Sequence, residues 1–268
     1  MRLSETGRFA WPALAAAAVL ALLATALWGL WAAMFTHNDQ FRIERVTITG
    51  DTTALTPEEI RSVSRIREGA NLFSSTAAAA RRRILAASLN IEEARVRKHL
   101  PDTVDIEIVP RRPIARVLDG EFIRALDKDG LVFPILERDE DKYGLLPYLF
   151  SGVETPRLPL GSRLRGVRGT PTELEARLSR ALQVVRAIDE DPDLPFRVME
   201  ADVSDRIYLS MQTPEGRVVR FVWEEIPDES SIRLALDTIA PVFAHRSAHN
   251  MNRFDVLLTP APKVITSP

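Results

Sequence analysis

The sequence predicts an α+β protein in three parts: a single N-terminal transmembrane helix, a small β-α-α-β-β domain, and a β-rich antiparallel α+β domain. Three observations carry this. Residues 12–35 contain no charged side chain. Residues 41–117 switch between the two-residue period of strands and the 3.6-residue period of helices in one fixed order. Beyond them, short alternating runs separated by turn residues are interleaved with two long amphipathic stretches. The 268 residues suffice for one large domain or two small ones. The 46% hydrophobic and 27% charged residues are ordinary for a folded chain once the apolar run is set aside.

The run "PALAAAAVLALLATALWGLWAAMF" is long enough to cross a hydrocarbon core of about 30 Å at about 1.5 Å per residue. Trp11 on one side and Trp28, Trp31 and Phe35 toward the other suit the interfacial belts. Arg2 and Arg8 precede the run and Asp39 follows it. The positive-inside rule therefore leaves residues 1–11 as a cytoplasmic tail and puts the chain after residue 35 outside, periplasmic or extracellular. A cleaved signal peptide is the alternative, with "ATA" at 24–26 as its small-residue site. The apolar run disfavours it by continuing past that site and exceeding the usual h-region of about 7–15 residues.

In the second part, the run 42–49 sets Val46 and Ile48 on one face and Arg45, Thr47 and Thr49 on the other, as a half-buried strand does. Gly50 and Asp51 stop it. Thr56, Pro57 and Glu59 form a capping box that opens a short helix with Ile60, Val63 and Ile66 on one side. After Gly69, Leu72 and Phe73 anchor the start of a second, Ala-rich helix running to Ser88, whose buried face is Ile84 and Leu85. Ala94 and Val96, then Val104, Ile106 and Ile108, mark two strands joined by the turn "LPDT". Three strands have one face to hide and two helices to hide it.

In the third part, the runs 122–126 and 131–135 flank "DKDG", a hairpin signal. Residues 137–169 show no period and read as mostly irregular. A second capping box, Thr170, Pro171 and Glu173, opens a helix with Leu174, Leu178, Leu182, Val185 and Ile188 on one stripe. The runs 196–203, 206–211 and 217–223 make an antiparallel meander, with turns at Asp205 and Pro214-Glu215-Gly216. A last helix from Ser230 is ended or kinked near Pro241, and residues 253–259 and 263–266 supply the final strands.

The matching pieces "IERVTITG", "REGANLF", "ARVRKHLPDTVDIEIVPRRPIA", "ALDKDGLVF" and "LPYLFSG" resemble, in order and spacing, the FtsQ/DivIB cell-division family and its polypeptide-transport-associated (POTRA) domain. The resemblance begins near Phe41 and weakens after Gly152. It implies a POTRA domain at 41–117 and an FtsQ-type β domain at 118–268. Pro110 departs from the Glu usual in the family's "ER.P" stretch and removes a ladder donor at the end of the third strand.

Composition and motifs point away from chemistry. A net charge of −2 asks for no nucleic-acid partner. The run Arg81-Arg82-Arg83 reads as a solvated helix face. With no cysteine there is no disulfide or thiolate chemistry. There is no HExxH, GxSxG, GxxxxGK or GxGxxG. His37, His99, His245 and His249 are scattered, and the His245/His249 spacing lacks a third ligand, so no metal site is assigned. "GVRG" at 166–169 lacks the context of a nucleic-acid clamp. Asp127 and Asp129 are explained by a turn. No catalytic residue, cofactor or metal is assigned, and the chain is not expected to be an enzyme.

The family resemblance implies a divisome scaffold at the septum of the cell inner membrane. Its partners would be FtsB-like and FtsL-like single-span division proteins, with others recruited through the first domain. It also implies that the final strand, Lys263, Val264, Ile265 and Thr266, β-prone through Val264 and Ile265, receives a partner strand, with Phe254 and Val256 also counted as partner-binding; a frayed tail over 263–268 is the alternative. The competing expectation is a POTRA accessory of protein secretion or outer-membrane assembly. Such proteins usually carry tandem POTRA domains and a barrel, and this chain has no series of barrel segments of about ten residues.

Overall fold

A computed structural model describes residues 7–35, 39–152, 157–164, 173–222, 229–245, 251–257 and 262–267. The first element, α1 (Gly7–Phe35), is one continuous helix. Of its side chains, those of residues 14–30 are described and all are exposed, Leu20 at 66% and Trp28 at 70%. Among the described residues no helix is long and apolar enough to cross a membrane. Helicity of the expected span is thus what the structure carries, and its insertion is a proposal. The chain divides into two compact units between Pro110 and Arg111, earlier than the expected boundary at 117.

The first unit has the order β1 (Arg45–Gly50), α2 (Pro57–Ser64), α3 (Ala77–Ala87), β2 (Ile91–His99) and β3 (Thr103–Pro110). The Thr56 hydroxyl accepts from Glu59 N, and the Glu59 carboxylate accepts from Thr56 N, so the capping box forms. A second cap, Thr76 accepting from Ala79 N, starts α3 and was missed in the sequence. The sheet order is β1-β3-β2, with β1 parallel and β2 antiparallel to β3. Val46, Ile60, Ile84, Ala94, Val104, Ile106 and Ile108 share one core; Ile48, Leu85 and Val96 pack at its margin. Arg81 and Arg83 are not merely solvated. Arg81 Nε donates to Ala94 O, and Arg83 Nη1 donates to Ser64 O, so both tie α3 to its neighbours.

Gly50 shows why the turn after β1 needs glycine. Its φ is +93°, and a Cβ there would lie 2.0 Å from the Ile108 carbonyl oxygen. No side chain fits so close to a neighbouring backbone.

The second unit is one nine-stranded sheet with both long helices packed in its core. Its elements are β4 (Ala115–Asp119), β5 (Phe122–Leu126), β6 (Val132–Pro134), a 3-10 turn (Glu137–Asp139) running into α4 (Glu140–Tyr143), and β7 (Tyr148–Phe150). Then come α5 (Glu173–Glu190), β8 (Glu200–Asp202), β9 (Tyr208–Gln212), β10 (Val218–Val222), α6 (Glu229–Ala244), β11 (Arg253–Leu257) and β12 (Lys263–Ser267). The strand order is β12-β11-β10-β9-β8-β7-β4-β5-β6.

This sheet corrects three expectations and adds to a fourth. It is mixed, not antiparallel throughout: β4/β7, β7/β8 and β10/β11 run parallel. For β7/β8 and β10/β11 the reason is that α5 and α6 act as crossovers, and a helix between neighbouring strands returns the chain in the same direction; β4 and β7 are instead connected through β5, β6 and α4. Ala115 and Val117 belong to this unit, because β4 pairs with β5 and β7. Most described residues of the segment 137–169 are irregular, as expected, but the segment also holds a strand that was not expected, β7 in the middle of the sheet with Leu149 buried. Lastly, α6 runs on past Pro241 to Ala244. Phe243 is held between Phe196 and Phe254, each ring centroid 4.9 Å away, and this packing keeps the last turn in place.

The expected hairpin, meander and leucine stripe are present. Leu178, Leu182, Val185 and Ile188 are buried and Leu174 packs against them. Thr170 and Pro171, "GVRG", Trp223, His37 and His249 lie outside the described residues.

Candidate strand-accepting edge

The last two strands are placed by α6. After β10 the helix carries the chain across the sheet, and its buried stripe, Ile232, Ala235, Leu236 and Ile239, seats it on the core. The chain then returns as β11, parallel to β10, with Phe254 beside Val219 and Val256 beside Phe221. A reversal brings β12 antiparallel to β11, pairing Val264 with Val256, Ile265 with Asp255 and Thr266 with Phe254. Asn252 N donates to Ser267 O at 3.1 Å and closes the far end.

The alternation of a strand divides these residues into two faces. Val264 points toward the core and packs at its margin. Ile265 points the other way and is 57% exposed. Lys263 and Thr266 are exposed as well. Phe254 and Val256 are fully buried, so they offer no side-chain surface to a partner. Their contribution is to hold β11, and through it β12, flat against the core.

Beside Ile265 lies a charged strip on the same face. Asp255 accepts from Arg253 Nε at 2.9 Å and lies 3.6 Å from Arg220 Nε. The hydrogen bond that Arg253 donates to Asp255 raises the pKa of Arg253. Arg220 in turn sits 3.7 Å from the centroid of the Tyr208 ring.

The two edges of this sheet are treated differently. Along β6, Val132 N donates to Ser162 O, Gly161 N donates to Val132 O, and Leu131 bridges Arg163, so a loop already occupies that side. Pro134 ends the strand without a donor. Among the described residues no strand lies beyond β12. An edge strand presents N–H and C=O groups spaced to pair with another strand, and adding one is the chemistry such an edge performs.

Among the described residues, the side chains considered for catalysis or metal binding do not assemble. Asp127 is buried, and its Oδ1 accepts from Asp129 N and Leu131 N while its Oδ2 pairs with Arg111. Asp129 is exposed. Among the described residues no group of three or more metal-ligating side chains occurs. Two buried or half-buried cations escaped sequence reasoning because their partners are distant in the chain. Arg177 Nη1 donates to the carbonyls of Val203 and Ser204 at 2.6 and 2.8 Å. Lys98 Nζ donates to those of Leu72 and Ser75, and its burial pushes its pKa down.

Residues 41–111 match the family model described as "POTRA domain, FtsQ-type". A cell division protein FtsQ of Streptomyces bingchenggensis is 28% identical over 246 residues, covering 91% of this chain and 84% of that protein. Those of Streptomyces venezuelae and Geotalea daltonii are 27% and 26% identical, each over 65% of this chain, covering 62% and 69% of the relatives. The chain thus carries an FtsQ-type POTRA domain and is similar, well beyond that domain, to cell division proteins FtsQ, as its resemblance to the FtsQ/DivIB family implies.

Proposed function

We propose that this chain is a single-pass protein of the bacterial inner membrane that serves the division septum as a non-enzymatic scaffold. The relatives' role in cell division supports the process. The observation that carries the mechanism is β12, an edge strand with exposed Ile265 in a sheet whose other edge is occupied by a loop. A single-span division protein of the FtsB or FtsL kind would add a strand there. Main-chain hydrogen bonds would supply affinity, and Lys263, Ile265 and Thr266 would read the partner's side chains. The first unit is free to recruit further divisome proteins.

Membrane insertion is supported by α1, whose described apolar side chains are all exposed. A helix with apolar side chains on all sides is stable when lipid surrounds it. The tail holding Arg2 and Arg8 stays in the cytoplasm. A reporter fused after Asp39 is expected outside the cell membrane, and one fused before Trp11 inside. A mature chain beginning near Leu27 would defeat this topology.

Depletion in growing cells tests the process, with filaments as the expected result. Normal septa accompanied by unfolded outer-membrane proteins would favour a secretion role instead. Deleting residues 263–268 tests the edge, with loss of co-purified FtsB-like and FtsL-like proteins expected. Undiminished capture would sink the strand-addition mechanism while leaving the division role standing.

A further inference from the structure

Three segments of the first unit meet at one end of its sheet. Residues 41–43 run beside 69–72: Ile43 N donates to Ala70 O and Gly69 N to Ile43 O at 2.8 Å each, and Leu72 N to Phe41 O at 2.7 Å. The β2–β3 turn closes on the same end, where Glu44 N donates to Asp102 O at 2.9 Å. Lys98, next to that turn, holds the 72–75 segment by its carbonyls. Because β1 and β3 run parallel, Pro110 leaves from the opposite end.

This shared end is apolar where water would be expected to meet polar groups. Leu100, in the turn, is 68% exposed. Phe41 and Phe73 form an edge-to-face pair with centroids 5.2 Å apart, and both are only half-buried. The charges around them nearly balance, with Arg42, Arg45 and Arg67 against Asp39, Glu44 and Glu68. A surface of this kind gains by leaving water and has little to gain from a charged partner.

The chain itself says what lies nearby. Between Phe35, the end of α1, and Phe41 the backbone reaches at most about 20 Å when fully extended. On the reading that α1 crosses a bilayer, this end of the first unit is held within that distance of the lipid surface. A tether of this length turns a weak contact into a populated one, because the surface is always at high effective concentration. We propose that the end bearing Phe41, Phe73 and Leu100 rests on the bilayer that α1 crosses, with Leu100 dipping into the boundary between headgroups and acyl chains.

The absence of cysteine makes the test direct. Leu100→Cys and Thr53→Cys each create one labelling site on the full chain. Thr53 is exposed and follows β1 at the opposite end of the sheet. Each variant, carrying an environment-sensitive fluorophore, is reconstituted into phosphatidylcholine vesicles with and without a lipid-borne quencher. Quenching several-fold stronger at position 100 than at 53 is expected, and it should be unchanged when phosphatidylglycerol is added. Equal quenching at the two positions, in chain that resists alkaline extraction, would overturn this inference and leave the membrane span intact. Release of the chain by alkali would overturn the span and this inference together. A signal at 100 that fades as protein is diluted in lipid would assign the patch to a second copy and overturn the lipid contact.

Discussion

Ile106 and Glu107 are neighbours in β3 with opposite surroundings. Ile106 is fully buried in the first core, while Glu107 is half-exposed and pairs with Arg95 at 3.2 Å. Ile106→Asp should cost about 3–5 kcal/mol by burying an unpaired charge, and Glu107→Lys should change stability by no more than about 1 kcal/mol. Equal urea midpoints would show the register to be wrong. Gly50→Ala should cost about 1–3 kcal/mol through its positive φ and the clash with Ile108. At the β8–β9 turn, the Asp205 carboxylate accepts from Ile207 N at 2.7 Å, which lowers its pKa below the ordinary 3.8. Its contribution to stability is therefore full above 3.8 and lost as pH falls through the lowered value. Asp205→Asn, which keeps an acceptor, should flatten that acid limb in melting curves taken across acidic pH. These residues were legible because alternation or turn chemistry is local. Lys98 and Arg177 were not, since what they bond lies far along the chain.

Elements announced themselves in the sequence in proportion to their length and punctuation. Each strand of the first unit has a clear alternation, and α2 has its capping box, so the order β-α-α-β-β could be read directly. By contrast β7 is three residues, Tyr148-Leu149-Phe150, all apolar or aromatic, with no alternation to distinguish it from a loop. Pro241 was read as an end or a kink because proline removes a helical donor. The structure keeps the helix there because the next turn buries Phe243. Phe243→Ala should accordingly cost about 3–5 kcal/mol and fray the end of α6, seen as faster amide exchange over residues 242–244.

At the scale of the molecule, the sheet order was hidden. Nothing in a run of residues says that β4 will lie beside β7 or that α6 will set β11 parallel to β10. The edge position of the last strand was nevertheless anticipated, from its β-branched residues and from family resemblance. Two of the six residues expected to bind a partner, Phe254 and Val256, are buried and support the edge from behind. Ile265→Asp separates surface from support. It should weaken capture of a partner strand at least tenfold while moving the melting temperature of the chain by no more than about 2 °C, since surface changes are usually within about 0.5 kcal/mol. A large fall in melting temperature would mean that Ile265 belongs to the core after all.

The parallel pairing of β1 with β3 also sets an order of assembly. The hairpin of β2 and β3 closes locally, whereas β1 must wait for a strand that is synthesised after both helices and β2. Until residues 103–110 leave the ribosome, Val46 and Ile48 have no ladder to join. Non-local pairing of this kind is slow, and the waiting strand is a site for mispairing. The residues nearest the N-terminal helix can thus join their sheet only once β3 has been made, and a chain interrupted before Thr103 lacks the central strand of the first unit.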